Sequence, residues 1–249
     1  GKTTTTANLG TALALMGKKV CLIDTDIGLR NLDVVMGLEN RIIFDIVDVI
    51  EERCKLKQAL IQDKRFEFLS LLPAAQTSDK SAVTGEGMKK IVDELKQDYD
   101  YIIIDCPAGI EQGFQSAVAG ADEAIVVTTP EKSSVRDADR IIGLLENKDI
   151  ERPRLVINRI RNHMMKTGDM LEVDEIVGIL SIDLLGIVLD DDEVIKASNH
   201  GKPVAFEPNT KASIAYRNIA RRILGESVPL QSLEENKGIF QKVKSFFKI

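Results

Sequence analysis

Short apolar runs alternate with stretches of helical periodicity along almost the whole chain. The apolar runs predict strands at residues 20–23, 66–72, 101–105, 124–129, 155–157 and 184–189, and the stretches between them predict helices at 88–95, 133–145 and 214–224. Because strands that alternate with helices are joined by crossovers, they pair in parallel and bury both faces of the sheet. We therefore expect an α/β fold: a doubly wound, mostly parallel sheet with helices on both faces. A length of 249 residues suits one such domain.

The chain opens with a sequence that binds phosphate in many α/β proteins. Gly1, Lys2 and Thr3 form the second half of the pattern G-x-x-x-x-G-K-[ST], and residues 9–16 have the apolar spacing of a helix that leads away from it. In such a loop, backbone N–H groups surround the phosphate oxygens, the lysine adds a positive charge and the hydroxyl ligates Mg²⁺. The strand and the glycines that should precede Gly1 are not in the sequence. We therefore expect this sequence to be truncated at its N-terminus.

Acidic residues follow two of the predicted strands. Asp24 and Asp26 come directly after strand 20–23, and Asp105 ends the strongest strand signal of the chain. Ligands of open α/β sheets bind beyond the carboxyl ends of the strands. Asp105 is therefore predicted to be the Walker B aspartate, which holds Mg²⁺ directly or through water. Gly109 would let the backbone approach a γ-phosphate. For Asp24 and Asp26, spacing alone leaves open a plain loop with surface acids and a helix cap.

Two further strand ends carry polar side chains. Asn158 and Arg159 follow strand 155–157, where a side-chain amide could read the edge of an adenine or could equally cap a turn. Strand 184–189 is followed by three aspartates at 190–192, which predict a solvated loop and the start of a helix.

The composition excludes several functional classes. A formal net charge of −6 gives no overall basic footprint for nucleic acid. The three cysteines, Cys21, Cys54 and Cys106, are isolated from one another. This spacing indicates that they serve as small apolar core residues in a protein of a reducing cytoplasm. His163 and His200 are too isolated to predict a metal site. No apolar run is long enough to cross a bilayer, and no secretory signal is visible.

The end of the chain differs from the rest. We expect an ATPase domain at 1–226, a linker at 227–236 and an amphipathic helix at 237–249. One face of this helix, with the spacing i, i+1, i+4, i+7 and i+8, would comprise Ile239, Phe240, Val243, Phe246 and Phe247. The polar side and its border would carry Lys237, Lys242, Lys244 and Lys248. An apolar face opposite a purely cationic one is typical of a helix in a membrane interface; the alternative is a terminal helix docked on the domain.

With these features in hand, the chain resembles the deviant Walker A ATPases, and within them the bacterial division-site ATPases of the MinD family, in a Gram-positive-like variant. The resemblance covers nearly the whole chain. It rests on residues 24–33 (DTDIGLRNLD), 72–77 (LPAAQT), 105–111 (DCPAGIE) and 134–137 (SVRD), and on the amphipathic tail.

The resemblance implies an ATP-switched membrane cycle. ATP would join two subunits face to face as a homodimer, and the dimer would engage the cytoplasmic face of the cell membrane through its two tails. It would recruit the division inhibitor MinC, and a topological regulator, MinE-like or other, would control it. Hydrolysis would return the protein to the cytoplasm. No specific nucleic acid would be bound.

The resemblance also implies roles for individual residues. The implied nucleotide-binding residues are Gly1, Lys2, Thr3, Thr4, Gly109, Asn158 and Arg159. The implied Mg²⁺ shell comprises Thr3, Asp24 and Asp105. Asp26 would position the attacking water, and Lys2 would neutralise the β- and γ-phosphates. The family's deviant lysine would precede Gly1 and cannot be assigned.

Two other functions remain open from the sequence. A ParA-like partitioning ATPase would need a basic face for DNA, which the net charge and the phenylalanine-rich tail disfavour. A redox ATPase similar to the nitrogenase iron protein would need two suitably placed cysteines in each chain, and Cys106 is the only candidate.

Overall fold

The computed structural model describes residues 1–148, 150 and 152–231. The amphipathic helix predicted at 237–249 and the second half of the predicted linker lie outside these residues, so the expectations about them stay predictions. In the described ranges, no helix combines the length and the apolar character needed to cross a membrane.

Strands and helices alternate as the sequence predicts. The strands of the described residues are β1 (Val20–Asp24), β2 (Ile61–Gln62), β3 (Leu69–Leu72), β4 (Tyr101–Asp105), β5 (Ile125–Thr128), β6 (Arg154–Ile160) and β7 (Asp183–Leu189). The helices are α1 (Lys2–Leu15), α2 (Leu32–Met36), α3 (Ile46–Ile50), α4 (Leu56–Ala59), α5 (Gly85–Leu95), α6 (Gln112–Ala119), α7 (Lys132–Glu146), α8 (Asn162–Lys166), α9 (Val173–Leu180), α10 (Asp192–Asn199) and α11 (Lys211–Ile223). Short 3-10 turns lie at Glu39–Arg41, Lys80–Ala82 and Val204–Phe206.

The strands form two sheets rather than one. The first has the order β2-β3-β1-β4 and the second the order β5-β6-β7. All pairs are parallel except β2 with β3, which is antiparallel. The prediction of a mostly parallel, doubly wound α/β fold is confirmed. Within the described residues, β4 pairs with β1 alone and β5 with β6 alone.

Helices cover both faces of the sheets, as the fold class requires. On one face, α1 and α11 bury one core against both sheets, including Leu13 of α1, Leu22 of β1 and Val156 of β6. On the other face, α5 packs on the first sheet, while α7 and α9 pack on the second. Gly10 brings α1 close to the sheet, because a Cβ at this position would lie 2.5 Å from Cδ2 of Leu22. The middle of α1 therefore packs closely on β1.

The strand predicted at 66–72 begins only at Leu69. The three residues before it form turns instead, in which the Phe66 amide donates to the carbonyl of Asp63 and the Leu69 amide donates to the carbonyl of Phe66. The aromatic ring of Phe66 packs edge-on against Phe206, with 5.3 Å between ring centroids. Tertiary packing of the phenylalanine therefore overrides its strand propensity.

Candidate functional site

Two aspartates lie side by side where neighbouring strands end. In the parallel pairing of β1 with β4, Asp24 is the register partner of Asp105. Both residues are buried. The Asp105 carboxylate accepts a hydrogen bond from Oγ1 of Thr6 (3.3 Å). Burial raises the pKa of Asp105, while hydrogen bonding from Thr3 and the charge of Lys2 act in the opposite direction. The first turn of α1 and the end of β4 therefore form one site.

The carboxylate of Asp24 organises the loop that follows it. One oxygen accepts from the amide of Asp26 (2.9 Å) and the other from the amide of Leu32 (3.2 Å), so the residue spans the loop between β1 and α2. The pKa of Asp24 is raised to about 7, chiefly by burial; the charges of Asp105 and Asp26 contribute to this rise, and the two hydrogen bonds oppose it. A change in its charge would therefore act on the whole loop.

Asp26 lies in this loop, close to both buried acids. It is half-buried, and its charge raises the pKa values of Asp24 and Asp105. The intervening Thr25 is buried, and its hydroxyl donates to the backbone carbonyl of Asp105 at 2.6 Å. Thr25 thus ties the end of β1 to the end of β4. The sequence interpretation overlooked it, although a hydroxyl between two aspartates at a strand end was a usable signal.

The predicted phosphate-binding residues form the start of α1. Gly1 is the N-cap without a side-chain cap, and Lys2, Thr3 and Thr4 occupy the first turn, which contains no acid. Early amides of a helix have no acceptor within the helix, and together with the helix dipole they favour an anion. Because α1 has 14 residues, and Lys2 stands beside Asp105, the geometry suits a phosphate that is held next to the acids.

The end of β6 adds Asn158 to this site. A Cβ built on Gly1 would collide with Nδ2 of Asn158, so the two residues are in direct contact. Oδ1 of Asn158 accepts from the amide of Arg159 (2.8 Å), which leaves the amide nitrogen on the side of Gly1. The contact of Asn158 with adenine stays a prediction.

The acidic triplet forms an exposed loop and the start of a helix, as predicted. Asp191 caps the helix α10 by accepting from the amide of Glu193. In addition, the Asp190 carboxylate pairs with Nε of Arg161 at 2.6 Å and with Nε of Arg159 at 3.5 Å, which places a charged cluster next to Asn158.

Tyr216 is a second site residue that the sequence did not reveal. It lies in α11 with 1% of its surface exposed, and its hydroxyl interacts with the side chains of Thr5 and Asn158. Burial raises the pKa of this phenol to about 12. An aromatic residue in a helix of regular periodicity is typical of a core position, so no local signal distinguished it.

Gly109 lies in the loop after β4 with φ +91°, while a Cβ on it would meet no atom within 4 Å. The backbone conformation, rather than close packing, therefore requires glycine there. Its proximity to a phosphate stays a prediction.

The cysteines fit an apolar role. Cys21, Cys54 and Cys106 are free, Cys21 is fully buried, and the other two are half-buried. Burial raises the pKa of Cys106 to about 12, so without a metal this side chain is a neutral thiol.

The donor set fits Mg²⁺ that is shared with a phosphate. Nowhere in the described residues do three His, Cys, Asp or Glu side chains come close enough to hold a metal ion by themselves. Mg²⁺ usually takes one or two carboxylates and completes its shell with water and phosphate oxygens. Asp105 with the Thr3 hydroxyl, and Asp24 beside Asp105, would supply such a partial shell. Burial raises the pKa values of both carboxyl groups.

Comparison with known proteins agrees with this geometry. A model of the AAA domain family matches residues 1–155. The septum site-determining protein MinD of Bacillus subtilis is 74% identical, over 100% of this chain and 94% of its own length. Among solved structures, the MinC:MinD cell division protein complex of Aquifex aeolicus aligns with a TM-score of 0.86 at 50% identity, covering 93% of each chain. Septum site-determining protein MinD of Pyrococcus horikoshii, complexed with Mg-ADP, aligns with a TM-score of 0.80 at 29% identity, covering 90% of each chain.

The fold and the site define a P-loop ATPase, in which a lysine and a hydroxyl at a helix start face buried aspartates at the ends of parallel strands. Within this class, the chain belongs to the MinD family of septum site-determining proteins.

Proposed function

We propose that the protein binds ATP with Mg²⁺ at the carboxyl edge of the sheet and hydrolyses it as a dimer. The observation that carries the proposal is the contact between the first turn of α1, with Lys2 and Thr3, and the buried pair formed by Asp24 and Asp105. The Mg-ADP complex of the Pyrococcus relative supports it.

Each residue of the site has a distinct task in this proposal. Lys2 and the first amides of α1 bind the β- and γ-phosphates, Thr3 and Asp105 ligate Mg²⁺, and Asp24 supports the metal shell from behind. Mg²⁺ supplies charge neutralisation at the phosphates. Gly1, Thr4, Gly109, Asn158 and Arg159 complete the nucleotide site.

Asp26 is the residue that we propose for water positioning, and its removal tests the reaction. We expect Asp26→Ala to keep its affinity for nucleotide within about threefold, while hydrolysis falls at least about 100-fold, because only the group that orients the water is lost. Phosphate release and nucleotide titration measure the two effects. Asp93→Ala, which changes an exposed acid of α5, is the matched control. Hydrolysis by Asp26→Ala at the normal rate would contradict the role.

Nucleotide affinity should depend on pH through Asp24. A cation requires the ionised carboxylate, and a pKa of about 7 means that Asp24 is mostly protonated at pH 6 and ionised at pH 8. Binding at pH 6 then includes a deprotonation that costs about 1.4 kcal/mol. We expect the affinity for Mg-ADP to be about tenfold weaker at pH 6 than at pH 8, with proton release visible by calorimetry in buffers of different ionisation enthalpy. The side chain at position 24 of the Asp24→Asn variant cannot titrate. If the affinity of this variant changes as much between pH 6 and pH 8, Asp24 is not the cause of the pH dependence.

We further propose that the protein serves septum placement by cycling between cytoplasm and membrane. Residues 1–226 would act as the ATPase domain, 227–236 as a linker and 237–249 as the membrane-binding helix. The ATP-bound dimer would recruit MinC, which the Aquifex complex supports, and a MinE-like or other regulator would set its position. Vesicle co-sedimentation of the full chain with ATP, with ADP and without nucleotide tests the cycle; equal sedimentation in all three would refute it.

A further inference from the structure

One side chain holds the segment that leads to the tail. Arg222, near the end of α11, donates three hydrogen bonds to backbone carbonyls: from Nη1 to Leu185 (2.9 Å), from Nε to Val228 (2.9 Å) and from Nη2 to Pro229 (2.7 Å). The first acceptor lies in β7 and the other two in the segment after α11. The planar guanidinium therefore bridges a strand and the outgoing chain from three separate nitrogens, whereas a lysine would have only one nitrogen to place.

The outgoing chain lies close to the second sheet. Val228 and Pro229 lie at the level of Leu185, and the next two residues, Leu230 and Gln231, line a cavity of about 370 Å³ together with Ile187. The segment therefore lies near β7, to which the Arg222 side chain connects it.

The sheet leaves room for this arrangement at Gly186. A Cβ there would collide with Ile219 and would lie 3.1 Å from Nη1 of Arg222. The absence of a side chain therefore lets α11 approach β7 closely enough for Arg222 to reach the carbonyl of Leu185.

The same cavity is lined by a helix that follows β6. Asn162 and Met165 of α8 line it, and α8 begins at the carboxyl end of β6, next to the cluster of Arg159, Arg161 and Asp190. The last described residues of the chain thus share a cavity with a helix that starts four residues after Asn158.

We propose that Arg222 is a latch that fixes residues 228–231 near β7 and thereby sets the point from which the remaining chain leaves the domain. It is a positioning residue, because its guanidinium acts through the backbone carbonyls of Val228 and Pro229. The consequence for vesicles rests on the proposed function. Release of the latch would free residues 226–231, which as a flexible coil span about 13 Å. The second tail of a dimer would then meet the membrane at a lower effective concentration.

The test uses the full chain and two neighbouring arginines. Arg222→Met removes all three donors and keeps a stem of similar length. Arg221→Met removes the same charge from the same helix but breaks only an exposed ion pair with Glu226 (2.7 Å), so it is the matched control. We expect the NMR order parameters of the Val228, Leu230 and Gln231 amides to fall from about 0.85 to below about 0.6 in Arg222→Met and to stay normal in Arg221→Met.

A second variant separates the latch from charge. Arg222→Lys keeps the positive charge but loses the planar guanidinium, so its order parameters at Val228, Leu230 and Gln231 should fall as far as those of Arg222→Met. Normal order parameters in Arg222→Lys, or unchanged ones in Arg222→Met, would overturn the latch. Sedimentation of Arg222→Met with anionic vesicles in ATP should fall about threefold. If residues 228–231 are rigid in the unmodified chain and become mobile in Arg222→Met, but the unmodified chain does not sediment in ATP, the membrane proposal fails and the latch stands.

Discussion

A chain extended upstream of Gly1 by a glycine-rich loop and an apolar strand is expected to unfold about 10 °C higher than the chain that begins at Gly1, and to bind Mg-ATP more tightly. The reason lies in two strand edges. In the described residues, β4 pairs only with β1, and β5 pairs only with β6, so each has one edge without a strand partner. Both strands pack against the core that α1 covers, and an added strand would lead directly into α1.

The burial of the strands indicates how much such a strand would contribute. The β1 side chains from Val20 to Ile23 are fully buried, whereas residues 101–104 of β4 are only half-buried, as are Ile125 and Val127 of β5. An added strand that buries a further third of the surface of each of these five aliphatic side chains would stabilise the fold by roughly 2.5–5 kcal/mol. For a domain of this size, each kcal/mol shifts the unfolding midpoint by about 2–4 °C.

A matched extension tests whether strand pairing is the cause. The same added segment with proline at the centre of its strand cannot donate the necessary hydrogen bond, so it should restore little stability and little nucleotide binding. Calorimetry and nucleotide titration measure both variants. If the two extended chains unfold at the same temperature, the two edges are not a strand site.

The sequence predicted the elements of the site better than their connections. Apolar runs that end in a polar residue located Asp24, Asp105 and Asn158, because the carboxyl end of a parallel strand is fixed by the run itself. The parallel pairing then placed Asp24 beside Asp105, which no spacing along the chain could show.

What the sequence did not predict depends on contacts between distant segments. Thr25, Tyr216 and Asp190 acquire their roles from partners on other strands and helices, and each has an ordinary interpretation in its own segment. The short helices α2, α3, α4 and α8 were missed for a related reason. With five residues or fewer, they carry too little periodicity to be recognised and are stabilised by packing.

Phe247→Glu in the full chain is expected to abolish recruitment to anionic vesicles in ATP while nucleotide binding stays normal. Partial burial of a phenylalanine contributes about 1.5 kcal/mol, the lower end of the range for such a side chain. A new negative charge near an anionic surface adds about 1 kcal/mol of repulsion. Since a dimer has two tails, the loss in binding constant at one tail is multiplied by the loss at the other. Recruitment should therefore weaken by more than about 100-fold. Phe246→Glu should behave in the same way.

The alternative for the same residues is a helix docked on the domain, and two measurements separate it from membrane binding. Phe247→Leu keeps an apolar side chain and should retain most recruitment, which makes it the matched control. Raised salt should weaken recruitment by screening Lys242, Lys244 and Lys248. In vesicle-free buffer, Phe247→Glu should unfold at the temperature of the unmodified chain, because the membrane proposal gives this side chain no contact with the domain. A lower unfolding temperature, or normal sedimentation of Phe247→Glu in ATP, would show that the tail packs on the protein instead.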